Sequence, residues 1–149
     1  MNWRYYESWV TGNTCVIEGK YSYTCPFEIG QIATGKQRVF YGFFVRIHLH
    51  DGKLVAGEDR HTLRDALFDL NRLLEDRGML LLAAGLEPRF SESCLSFNTG
   101  FGYLSDCDFA VHMMDIPPPR DRNPEADLFV EGLIREAVDG MSFGRGTTR

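Results

Sequence analysis

Between residues 39 and 50 the odd positions Val39, Tyr41, Phe43, Val45, Ile47 and Leu49 are all apolar or aromatic. The even positions include Gly42, Arg46, His48 and His50, although Phe40 and Phe44 fall there too. A period of two is that of a strand with one buried face. Asp51-Gly52 follows, a pair that tolerates the positive φ of a two-residue type I′ turn. A return strand over residues 53–58 then sets Leu54 opposite Leu49 and Ala56 opposite Ile47. Upstream, residues 15–24 read as a strand with Tyr21 and Tyr23 on one face and Lys20 and Ser22 on the other. The aromatic opening Trp3, Tyr5, Tyr6, Trp9 fits either a short helix or an edge strand.

The period then changes. Leu63, Ala66, Leu67, Leu70, Leu73 and Leu74 recur at helical spacing, with Arg64, Asp65, Asp69, Arg72 and Glu75 outside that stripe. This predicts a helix over residues 62–77 with Thr62 as N-cap, Asp65 in the first turn and Gly78 beyond the end. Residues 79–84 are wholly apolar and read as a central strand buried on both faces. From 85 to 108 the pattern weakens to a hairpin or a long ordered loop, and residues 109–116 resume strand character. Pro117–Pro119 mark the exit from the sheet, with 117–123 as connector. Pro124 suits a helix's first turn, and Ala126, Phe129, Val130, Leu133, Ile134 and Ala137 predict a second helix over about 124–138. Gly140 ends it, leaving 140–149 as a tail. The expected class is α+β, a mainly antiparallel sheet with one helix on a face, in a single domain over residues 1–139.

Charge and cysteine usage narrow the functions open to such a domain. A net charge of −5 among 149 residues disfavours nucleic acid as principal ligand, which needs clustered Lys and Arg, and favours a basic partner. Cys15, Cys25, Cys94 and Cys107 form no CxxC pair, and no basic-then-apolar leader or long apolar run is present, which reads as reduced thiols in a cytoplasmic protein without membrane contact. The 11 Phe, 6 Tyr and 2 Trp can fill a core or build a binding surface.

Four constellations carry candidate chemistry. His48 and His50, two apart on a strand, would share a face and bind a metal with His112 or His61 as third ligand; exposed or hydrogen-bonded histidines are the simpler expectation, with no metal. Cys94 or Cys107 beside His112, oriented by Asp106, Asp108 or Asp115, would make a nucleophile, but no local signature surrounds either thiol, and neither catalysis nor a cofactor is expected. The segment Asn98-Thr99-Gly100-Phe101-Gly102-Tyr103 misses the dinucleotide pattern GxGxxG at Ser105 and reads as a turn whose rings can anchor a partner. Carboxylates at Glu58-Asp59, Asp65 with Asp69, Glu75-Asp76 and Asp106-x-Asp108 form either an acidic patch or an ordinary solvated helix face.

The aromatic start, the stretch Tyr41-Gly42-Phe43-Phe44-Val45-Arg46-Ile47 and the segment Ser96–Tyr103 resemble immunity proteins of bacterial polymorphic toxin systems, contact-dependent growth inhibition systems among them. The resemblance covers overall character up to about Ile116. It implies a stoichiometric toxin inhibitor without chemistry of its own, with Asp65 and Asp69 supplying charge and Phe101 and Tyr103 serving as anchors. Two other classes compete: a small enzyme or metal-binding protein built on the Cys and His groups, and a small-ligand accessory domain with a pocket lined by Phe40, Phe44 and Met113 or Met114.

Overall fold

A computed structural model of the chain describes residues 3–93, 97–105 and 110–117. Its elements in order are β1 (Arg4–Glu18), β2 (Tyr21–Thr34), β3 (Val39–His48), β4 (Leu54–Asp59), α1 (Leu63–Glu75), β5 (Met79–Leu82), a single 3-10 turn (Ala84–Leu86), β6 (Phe90–Ser91), β7 (Phe101–Leu104) and β8 (Ala110–His112). Two antiparallel sheets result: five strands in the order β4-β3-β2-β1-β5 and three in the order β6-β7-β8. With one helix laid on the larger sheet, the class is α+β. The expected second helix, over 124–138, lies outside the described residues, as do the connector beyond 117 and the tail.

The sheet is built mainly from hairpins, two of which differ from the expected pairings, as does the place of β5. Residues 15–24 are not one strand: the chain turns at Gly19-Lys20, so that Glu18 pairs with Tyr21 and the opening aromatic stretch becomes the start of β1. The β3–β4 loop has three residues rather than two. Leu49 N–H donates to Lys53 O (2.8 Å), Gly52 N–H donates to Leu49 O (2.9 Å), and Gly52 takes φ +89°. A turn closed by one left-handed residue is the three-residue hairpin form. Ile47 therefore faces Val55 and His48 faces Leu54. That one-residue slip decides which side chains are inside, since Val55 is buried and Leu54 is exposed.

The third correction concerns β5. It was expected at the sheet's centre, yet it is an outer strand pairing only with Cys15–Glu18 of β1. An apolar run looks the same in either place, although at this edge Leu80 is exposed while Met79, Leu81 and Leu82 are buried. Met79 and Leu81 join the main core, while Leu82 meets Cys15, Ile17 and Ile116 on the opposite side. The strand expected over 109–116 is shorter, Ala110–His112.

α1 forms where the stripe requires. Thr62 accepts from the Asp65 N–H at 3.1 Å, and Leu63, Ala66, Leu67, Leu70 and Leu74 face the sheet. Below them lie Phe27, Ile29, Phe43, Val45, Ile47, Leu49 and Val55; the small sheet contributes Phe90, Leu104 and Val111 to the same core, and the turn after β8 adds Met113 and Met114. The helix crosses β4 at Gly57, where an added Cβ would collide with the backbone of Ala66 and Leu70. Next to this crossing, Asp69 Oδ2 accepts the Glu58 N–H of the outer strand β4 (3.0 Å), which ties helix to sheet edge.

Replacing Gly57 by Ala is expected to cost about 3 kcal/mol, the upper end for overpacking, because the obstruction is helix backbone. Chemical denaturation checks this; unchanged stability would mean that helix and strand do not approach so closely.

Candidate protein-binding surface

Phe101 and Tyr103 alternate outward along β7, 48% and 46% exposed, while Gly102 and Leu104 between and beyond them are buried. The turn before them is pinned at the start of α1. Asn98 Oδ1 accepts the Leu63 N–H (2.8 Å), satisfying one of the helix's open amides, and Asn98 itself holds φ 60°. Phe101 meets the ring of His112 edge-on (centroids 4.9 Å apart), and His112 stacks on Phe27 of β2 at 5.8 Å. The Met114 N–H donates to His112 Nδ1 (3.1 Å), and the His112 N–H donates to Asp115 Oδ2 (2.9 Å). His112 thus serves as a floor under Phe101.

The two predicted acids lie together on a different flank of the helix. Asp65 is exposed and, among the described residues, has no ion pair. Asp69 binds the Glu58 amide through Oδ2 and Arg72 through Oδ1 (2.7 Å), so its charge is largely neutralised in holding α1 to β4. Arg64 extends from the other flank to the carbonyls of Gly85 and Glu87, both at 2.8 Å, next to the small sheet. The structure therefore brings Asp65 close to Asp69 and Phe101 close to Tyr103, but sets the two pairs on opposite flanks of α1.

The histidines are dispersed. β3 ends at His48, which points to the face away from α1; His50 stands in the turn, its ring against Tyr23 at 4.3 Å. Burial with Cys25 and Glu18 nearby pushes the Tyr23 phenol up to about 12. His61 borders the N-terminus of α1, where Asp59 Oδ2 accepts the amides of His61 and Thr62 (2.8 and 2.9 Å). Among the described residues no three His, Cys, Asp or Glu side chains converge as metal ligands. Cys94, Cys107, Asp106 and Asp108 lie outside the described residues. Phe40 and Phe44 do not line a common pocket: Phe44 is fully buried under Tyr6 on the face away from α1, whereas Phe40 is exposed on the helix side.

An unforeseen cluster occupies the face away from α1. Glu28 on β2 accepts from Ser8 Oγ (2.6 Å), from Arg46 Nη2 and Nε (2.9 and 3.1 Å), and faces His48 Nε2 at 2.7 Å. The Arg46 hydrogen bond first, then those of Ser8 and His48, hold its carboxyl at about 2 against an ordinary 4.5. A serine, an imidazole and a carboxylate meet here, yet both donors turn to the carboxylate. A nucleophile needs its hydroxyl on the imidazole, so this is a cross-strand ion cluster in form.

No protein-family model matches the chain, and no curated protein or solved structure shows significant similarity to it. Among the described residues no helix is long and apolar enough to cross a membrane.

A depressed carboxylate pKa gives stability that is complete above the unfolded value and lost as pH falls through the folded one. Glu28→Gln is expected to cost on the order of 1–3 kcal/mol at neutral pH, discounted for partial solvent access. It should also flatten the fall in stability between about pH 4.5 and about pH 2. Denaturant midpoints measured across that range check both; an equally steep acid limb in the variant would contradict the cluster.

Proposed function

We propose that this chain is a non-catalytic protein-binding protein, an immunity protein that binds and neutralises a cognate bacterial toxin in the cytoplasm. The observation that supports it best is the outward pair Phe101 and Tyr103. Rings fixed on a short strand, with His112 beneath one of them, lose little freedom when a partner covers them. Aromatic side chains of this kind are the usual anchors of interface centres, surrounded by polar groups that set orientation and encounter rate. Asp65, exposed on the opposite flank of α1, adds negative charge suited to a basic toxin surface.

The test is protection of cells expressing the product of the reading frame immediately upstream of this gene, which this reading expects to be a toxin. Wild-type chain is expected to rescue growth. Phe101→Ala with Tyr103→Ala should weaken binding about 100-fold without lowering thermal stability. Asp65→Asn with Asp69→Asn keeps an acceptor for the Glu58 amide and should mainly slow association. Full rescue by a variant carrying all four changes would remove this surface from the function, and failure of the wild-type chain to rescue would remove the function itself.

A further inference from the structure

Cys15, Ile17 and Leu82 are 0%, 6% and 7% exposed, on the face of the main sheet that α1 does not cover. Ser22, paired with Ile17 across β1 and β2, is buried there as well. Elsewhere on this face the cover is plain: Tyr6 meets the buried Phe44 edge-on at 5.1 Å, and Arg46 lies over the same ring at 5.0 Å. At the β1–β5 corner, Ile116 is the one hydrophobic residue among those described that packs on the three. A fully buried side chain touches roughly 6–12 others, more than sheet neighbours and one half-buried isoleucine supply over two strands. Pro117, the last described residue, is itself buried, so the chain stays against the body there.

The sequence beyond Pro117 carries a candidate cover. Ala126, Phe129, Val130, Leu133, Ile134 and Ala137 recur at helical spacing, with Glu125, Asp127, Glu131, Arg135 and Glu136 outside that stripe. As a helix, residues 126–137 would run about 18 Å. The corner measures about 10 Å from β5 across β1 to β2, so one such element spans it. Residues 118–125 reach up to about 28 Å when extended, which brings the stripe onto any part of this face. The other stretches outside the described residues, 94–96 and 106–109, are too short to lie across three strands.

We propose that the apolar stripe of residues 126–137 docks on Cys15, Ile17 and Leu82 of its own chain and closes the second face of the main sheet at its β5 end. Ile116 and Pro117 then form the start of this contact, and the acidic positions outside the stripe stay toward water. A partner protein finds this corner already occupied, whereas the helix-side rings remain open to it. The proposal stands independently of the toxin reading.

Two thiols make the test internal. Cys15 lies under the proposed contact, while Cys25, on the neighbouring strand, is equally buried in the core beneath α1. The full chain, dilute and alone, is treated with an alkylating reagent, and labelling at each site is followed by mass spectrometry. Both thiols should react slowly in the wild-type chain. Phe129→Asp with Ile134→Asp should speed labelling of Cys15 about tenfold or more and leave Cys25 slow. If that variant unfolds and exposes both thiols, Phe129→Ala takes its place, and Cys15 must still rise alone. Fast labelling of Cys15 in the dilute wild-type chain would overturn the proposal, and is the result that a second copy or a separate protein as cover would give. Labelling of Cys15 that no variant changes, or that follows Cys25 in each of them, would overturn it too.

Discussion

The close approach of α1 to β4 at Gly57 is the constraint on which the remaining structure depends. With no side chain between helix backbone and strand, the helix sits low enough for its five buried residues to reach the sheet's apolar face. Asp69 then takes the outer amide of β4, and Arg64 takes carbonyls of the segment leading to the small sheet. One helix thereby fixes both sheets. Apolar burial supplies the favourable free energy, and these polar ties decide where the helix lies.

From that arrangement the candidate binding surface follows. Phe101 and Tyr103 face outward because Gly102 and Leu104 of the same strand are drawn into the core that α1 closes. Phe40 and Trp9 stay exposed on the helix-side face, each edge-on to the buried Phe43. Rings held from below are suited to recognition, since little order remains to be imposed when a partner arrives.

Periodicity made much of this readable. The β3 alternation, the α1 stripe and its Thr62 cap all follow from residue spacing, whereas Phe101–Leu104, read as part of a turn, is a strand. Strand order did not, because an outer strand with three of its four residues buried carries the same apolar run as a central one. The β3–β4 register turned on whether Asp51-Gly52 forms a turn alone or with His50, a difference invisible to composition. Phe40 and Phe44 held an unread signal: both are out of phase with the alternation, and the extra residue at Tyr41 sends them to opposite faces. The Glu28 cluster joins residues 8, 28, 46 and 48 across three strands, so it becomes visible only once register is known.

Native-state hydrogen exchange asks most directly whether the outward rings stand on the body that α1 locks. The amides of β7 and those of β2 should open in one cooperative event, with the same free energy and the same denaturant dependence. Exchange of β7 through a separate, low-energy opening while β2 stays protected would contradict a preformed anchor strand.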